Sequence, residues 1–163
     1  MTTSDALRAA RQALVDVGLR LLSAGLVQDG QGNLSLRLPD GRILITPSAV
    51  PYRQREAEDI CVLSPRGEFL AGRWKPTSEL PLHLAFYQAR EDVGAVIHTH
   101  APYATVFGVT GEGELPMLLT EAAMHLGGAV SVAPYARPGT ELLARRACES
   151  AGAGRAVILA HHG

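Results

Sequence analysis

The chain has 163 residues, 47% of them hydrophobic and 19% charged, with a formal net charge of −1. That length predicts one compact domain, which buries roughly 68–70% of its unfolded surface and needs no disulfide or metal to fold. The composition excludes a disordered polar chain, the near-neutral charge without a Lys/Arg block excludes nucleic acid as an expected partner, and the low charged share fits a surface partly covered by other subunits.

The first predicted element is a helix. Leu7, Ala10, Leu14, Val17 and Leu21 recur at alternating spacings of three and four, with Ser4 or Asp5 as the N-cap and Gly25 at the C-terminal end. A polar turn, Asp29-Gly30-Gln31-Gly32-Asn33, leads into Leu34, Leu36 and Leu38, which alternate with Ser35 and Arg37 at strand period. Pro39-Asp40-Gly41 turns the chain into Arg42-Ile43-Leu44-Ile45, a hairpin. Ile60-Cys61-Val62-Leu63 is a third strand, closed by a turn at Ser64-Pro65-Arg66-Gly67. Ser78 to Arg90 reads as a helix capped by Ser78, and Gly94 to His100 as a buried strand. Pro102 to Phe107 and Glu121 to Leu126 are short helices, and Gly127-Gly128 follows the second. Ala129 to Val132 is a strand, Thr140 to Ser150 a helix and Ala156 to Ala160 a strand. A layered α/β domain explains this order best, and the early hairpins call for antiparallel pairing. Cys61 and Cys148 are too few for a disulfide framework and read as buried thiols of a reducing compartment. The N-terminus lacks a basic-then-apolar signal and no apolar run reaches ~18 residues, so the expectation is a soluble cytoplasmic chain without a membrane partner.

The six histidines are His83, His98, His100, His125, His161 and His162. His98 and His100 sit two apart at the end of an apolar strand, so they face one side with α-carbons about 6.6 Å apart. Two such imidazoles can converge on one cation. Another apolar strand also ends in histidine, at His161-His162, and one of the two can turn to the same ion. Three imidazoles leave a tetrahedral ion one open position, as in catalytic rather than structural zinc sites. Glu79 lies four residues before His83 on one helical face, and His83 reads as a packing or supporting histidine. His125 receives no metal role.

Thr77-Ser78-Glu79-Leu80-Pro81-Leu82-His83, Ala95-Val96-Ile97-His98-Thr99-His100 and Ile158-Leu159-Ala160-His161-His162-Gly163 resemble the class II (zinc-dependent) aldolase/adducin family. Gly32-Asn33-Leu34-Ser35 and Ile45-Thr46-Pro47-Ser48-Ala49 supply two more of its motifs in the expected order. The resemblance runs from about Leu21 to Gly163 and is strongest to L-fuculose-phosphate aldolases. It implies an α/β, three-layer domain with a central mostly antiparallel sheet flanked by helices. It also implies that residues 1–163 are a single domain expected to lack its C-terminal segment, and that the protein is a homotetramer. The metal ligands implied are His98, His100 and His162, the last because it directly precedes the glycine. They would hold one Zn2+, or another divalent metal, per subunit. Glu79 is implied as acid/base and as a ligand of the resting metal, with Asn33, Ser48, Thr77 and Ser78 as phosphate-binding residues.

The activity implied is retro-aldol cleavage of a small phosphorylated ketose such as L-fuculose 1-phosphate through a metal-stabilised enediolate. The alternatives are a sugar-phosphate 4-epimerase, a dehydratase or decarboxylase of the same family, and a non-catalytic adducin-like scaffold domain. Epimerases of the family usually carry aspartate where Glu79 lies, so Glu79 tilts the reading toward aldolase. The sequence departs from the pattern in three places. Ala49 stands where relatives often carry glycine. The proton-donor tyrosine expected before the Gly-Gly pair is absent from Leu118-Leu119-Thr120-Glu121-Ala122, leaving Glu121 and Tyr103 as candidates. The sequence stops at Gly163, directly after the last implied ligand, which is therefore expected to fray.

Overall fold

The computed structural model describes residues 3–163, with side chains from Asp5 onward, so a capping role for Ser4 lies outside the described residues. Helix α1 spans Thr3–Ser23, which places Asp5 in its first turn rather than at its cap. Its end closes on Gly25 at φ 70°, with the Gly25 and Leu26 N–H groups donating back to the Leu22 and Leu21 carbonyls.

Strands β1 (Asn33–Arg37) and β2 (Ile43–Ile45) form the expected hairpin, with Arg37 opposite Ile43. β3 (Cys61–Leu63) adds to β2, and β4 (Phe69–Ala71) adds to β3. β4 is exposed along its length and carries no apolar alternation; the Ser64–Gly67 turn, not a hydrophobic pattern, brings it into register. β5 (Ala95–His98) pairs with the free side of β1, giving an antiparallel five-stranded sheet of order β4-β3-β2-β1-β5. β5 ends at His98, short of the strand read through His100.

The second half alternates as read. Helices α2 (Leu80–Ala89), α3 (Pro102–Phe107), α4 (Thr120–Leu126) and α5 (Glu141–Ala151) surround a smaller sheet. That sheet joins β6 (Glu114–Leu115), β7 (Val130–Ala133) and β8 (Ile158–Leu159), with β7 and β8 parallel. The pairing is therefore mostly antiparallel, as expected, but divided between two sheets. α2 begins at Leu80 with Glu79, not Ser78, at its N-cap; Thr77 Oγ1 accepts from the Glu79 N–H at 3.3 Å. Thr140 does cap α5, accepting from the Leu143 N–H at 3.2 Å.

The five-stranded sheet is covered on both faces. Leu14 and Val15 of α1 pack with Leu34, Leu44, Val62 and Tyr52 on one side. On the other, Ile43, Ile45, Cys61 and Leu63 pack with Tyr87, Leu80 and Leu84 of the α2 segment. The far side of α2 meets α5 and the small sheet through Leu82, Leu143, Ala147, Ala133 and Leu159. The polar residues of β1 thus do not face water. Ser35 is buried beneath α2, and Arg37 reaches the end of that helix. The Arg37 guanidinium donates to the carbonyls of Tyr87, Arg90, Glu91 and Val93 at 2.5–3.0 Å, satisfying acceptors that a helix end leaves unpaired.

Hydrogen bonds from a charged donor contribute about 1.5–3 kcal/mol. Arg37→Ala is therefore expected to destabilise the fold by about 2 kcal/mol, read from urea unfolding; a change below about 0.5 kcal/mol would contradict the assigned role.

Candidate active site

The two sheets meet at three histidines. His98 closes β5, His100 lies just past it, and their Nε2 atoms are 3.1 Å apart. His162 reaches them from the turn after β8, with ring centroids 4.8 Å from His98 and 5.0 Å from His100. One ligand atom of each lies within 4.8 Å of the others, the one such group of ligating side chains among the described residues. A strand end pointing its neighbours to opposite faces is not what selects between His161 and His162. β8 stops at Leu159, and both histidines occupy a turn in which His161 takes φ 57°. That conformation leaves His161 exposed and swings His162 inward.

The turn is tied down rather than frayed. Leu159 N–H donates to the Gly163 carbonyl at 2.6 Å, and the His162 and Gly163 N–H groups donate to the Leu159 carbonyl at 3.0 and 3.3 Å. A Cβ on Gly163 would overlap the Thr99 carbonyl oxygen and sit 3.2 Å from His100 Cδ2, so only glycine permits this approach.

These imidazoles fit a divalent cation. Burial holds His98 well below the ordinary histidine range, helped by His162 and His100, and burial likewise lowers His100 and His162. They are neutral near pH 7, the form that ligates metal. The 3.1 Å separation of His98 and His100 is close to the roughly 3.3–3.4 Å edge of a tetrahedron with ~2.0–2.1 Å bonds. His162 Nδ1 is buried without a hydrogen-bond partner.

Three further segments complete a cavity of about 240 Å³. Gly32-Asn33 opens β1, Ser48-Ala49 follows β2, and Thr77-Ser78-Glu79 leads into α2; all line the cavity with His98, His100 and His162. Thr46 links them. Its N–H donates to the Leu34 carbonyl, its Oγ1 accepts from the Leu34 N–H, and its carbonyl accepts from the Thr77 N–H. The Ser48 N–H donates to the Lys75 carbonyl at 2.9 Å. Gly32 takes φ 72°, and a Cβ there would lie 2.7 Å from the His98 carbonyl oxygen. Ala49 takes φ 59°, so the loop keeps a left-handed conformation although a non-glycine residue costs about 1–3 kcal/mol there. A larger cleft of about 820 Å³ runs between β5 and β8, but its walls are mostly apolar and it holds only His98 of the three histidines.

Glu79 is buried. Desolvation pushes its carboxyl above the usual carboxylate range, opposed by a hydrogen bond from the Gly139 backbone. Its Oε2 is buried and unpartnered. It lines the same cavity but is not a member of the three-histidine group. His83 is fully buried and pushed down to about 3 by desolvation. It hydrogen bonds Asn33 and Ser35, so it supports the cavity wall from behind.

Residues 12–163 match the family described as Class II Aldolase and Adducin N-terminal domain. The chain belongs to the class II aldolase/adducin family. It is 40% identical over 154 residues to a 5-deoxy-D-ribulose 1-phosphate aldolase of Bacillus thuringiensis serovar kurstaki, covering 94% of this chain and 71% of that protein. It is 31% identical over 159 residues to a 3-oxo-tetronate 4-phosphate decarboxylase of Haemophilus influenzae, covering 95% of this chain and 75% of that one. A solved L-fuculose 1-phosphate aldolase superposes with a TM-score of 0.91 at 36% identity, covering 100% of this chain and 74% of the other. The class II aldolase family is metal-dependent, and this member is an enzyme of the lyase class.

All eight residues singled out from the sequence in this class II aldolase chain line the one small cavity. The other residues weighed in the sequence fall elsewhere. Glu121 and His125 are exposed on α4, and Tyr103 is 92% exposed on α3, none of them lining the cavity. Sequence reading missed Gly139 beside Glu79 and Thr46 at the junction of the walls, because neither belongs to a pattern of catalytic residue types.

Two outcomes test this geometry. Gly163→Ala should weaken zinc affinity by roughly 10–100-fold, as when a group orienting a ligand is lost, in a calorimetric titration; unchanged affinity would refute the close-approach argument. His83 is neutral in the fold to about pH 3, whereas unfolded histidine titrates near 6.5. Unfolding therefore takes up one extra proton between those values, and stability is lost as pH falls. With chelator present, His83→Gln should flatten the pH dependence of the unfolding free energy by one proton over that window; an unaltered slope would contradict it.

Proposed function

We propose that this protein is a zinc-dependent aldolase that cleaves a small ketose 1-phosphate, such as L-fuculose 1-phosphate or 5-deoxyribulose 1-phosphate. The convergence of three neutral imidazoles with a buried carboxyl and a hydroxyl-lined loop set in one cavity carries this reading. His98, His100 and His162 hold the metal. When bound, a divalent ion there supplies Lewis acidity toward the oxygens of a carbonyl substrate.

The chain's own groups account for the rest. Asn33, Ser48, Thr77 and Ser78 bind the phosphate, through side-chain donors at the start of β1, in the loop after β2 and at the entry to α2, whose N-terminal dipole favours an anion. The small volume admits a short sugar phosphate, held between the hydroxyl-bearing loops and the histidines. Glu79 moves the proton. In cleavage the hydroxyl on the departing carbon gives its proton to water as that carbon becomes the aldehyde, and Glu79 gives a proton to the carbon that keeps the bonding electrons; in condensation Glu79 takes that proton back and the new hydroxyl gains one from water. Burial pushes its pKa up, and a cation held by the histidines would push it down.

Residues 1–163 are read as one family domain, and the protein as a cytoplasmic homotetramer. Tyr103, Leu118 and Met124 are 92%, 78% and 73% exposed, which supports subunit contacts over α3 and α4. No helix of the described residues is long and apolar enough to cross a membrane.

His98→Ala is expected to remove metal and activity together, measured by metal analysis beside a retro-aldol assay. Glu79→Gln should keep the metal and lose about 10²–10⁴-fold in turnover. The wild-type panel is L-fuculose 1-phosphate, 5-deoxyribulose 1-phosphate and 3-oxo-tetronate 4-phosphate. Release of an aldehyde from either ketose supports the reading; carbon dioxide from the third alone, or an active metal-free His98→Ala protein, overturns it.

A further inference from the structure

A carboxamide in an anion site has two ends, and only one of them attracts phosphate. Asn33 opens β1 directly opposite His98, is 6% exposed and lines the cavity. Its Oδ1 lies 2.5 Å from His83 Nε2. His83 Nδ1 lies 2.7 Å from Ser35 Oγ, which lies 2.7 Å from the Tyr87 hydroxyl. The pairing follows from two matched periods. Asn33 and Ser35 are two apart on a strand, and His83 and Tyr87 are four apart on α2, so both pairs repeat at about 6 Å on facing surfaces.

Such a chain could run in either direction. In one, Tyr87 donates to Ser35, Ser35 donates to His83 Nδ1, and His83 Nε2–H donates to Asn33 Oδ1. In the reverse, the Asn33 amide donates to His83, and the Tyr87 hydroxyl hydrogen is left over. Beyond Ser35 Oγ, the buried Tyr87 hydroxyl has no hydrogen-bond acceptor among the described residues, so only the first direction gives every hydrogen of the chain an acceptor. Burial keeps the phenol protonated, pushed up to about 12, and the imidazole uncharged.

We infer that His83 is a positioning residue: with Ser35 and Tyr87 it locks the Asn33 carboxamide with Oδ1 inward and Nδ2 toward the cavity, making Asn33 an obligatory donor to the phosphate group. This rests on the phosphate site proposed above. His83 then neither ligates metal nor carries a catalytic proton, and its loss weakens phosphate recognition rather than bond cleavage. A reversed carboxamide would present an oxygen lone pair to the anion, so the lock excludes an orientation as well as favouring one.

The test uses inorganic phosphate as a competitive inhibitor of whichever ketose phosphate turns over. In His83→Leu, the inhibition constant for phosphate and the KM of the ketose phosphate should each rise about tenfold or more, with kcat and bound metal within about twofold of wild type. His83→Gln, which offers an amide donor toward Asn33, should recover most of the loss. Tyr87→Phe should weaken phosphate binding in the same direction, by less. In the wild type, long-range proton–nitrogen NMR should show His83 as the neutral Nε2–H tautomer, a result that needs no variant to fold. An Nδ1–H tautomer, or unchanged phosphate inhibition in folded His83→Leu, overturns the inference and leaves the phosphate site standing. Indifference of the wild type to phosphate overturns the phosphate site itself, and this inference with it.

Discussion

Three imidazoles whose ligand atoms lie within 4.8 Å of one another, His98 buried and His100 and His162 half-buried, are the constraint on which this architecture depends. Burial disfavours the charged form of each, so all three are held neutral near pH 7. A neutral imidazole carries one lone pair, and three converging here can offer theirs to one cation. The fold sustains that arrangement from two separate sheets, with β5 delivering His98 and His100 and the turn after β8 delivering His162. Close approach of the two is possible because Gly163 has no side chain to strike the Thr99 carbonyl.

The second organising element is β1. Its apolar residues face α1, and its polar residues face α2, so both faces are buried and each has a separate task. Leu34 anchors the sheet to α1. Asn33, Ser35 and Arg37 attach α2 along its length, from the cavity wall to the terminal carbonyls. Since Glu79 caps α2, the same contacts that hold the helix also set the position of the carboxyl relative to the histidines. Stability and chemistry are coupled here through one strand.

Much of this was legible from residue order. The amphipathic period of α1, the Pro39-Asp40-Gly41 hairpin and the apolar runs before His98 and His161 are local signals, and each produced its element. The site residues were legible because they sit in five short motifs that converge on one cavity. What was not legible has physical causes. β4 and β6 are exposed strands of three and two residues, held by pairing rather than by a hydrophobic pattern. The choice of His162 over His161 depends on a left-handed residue in a turn, which strand alternation does not describe. Ala49 adopts that same region without being glycine, so composition alone would place the strain elsewhere. The buried run from Tyr87 to Asn33 joins positions about fifty apart in sequence, and only the packing of α2 on β1 brings them together.

X-ray absorption at the zinc edge on the purified, zinc-loaded protein examines the central claim most directly. The account predicts one ion per chain with a nearest shell containing three imidazole nitrogens at ~2.0–2.1 Å. A protein that takes up no stoichiometric metal, or one whose bound ion shows fewer than three imidazoles, would contradict it.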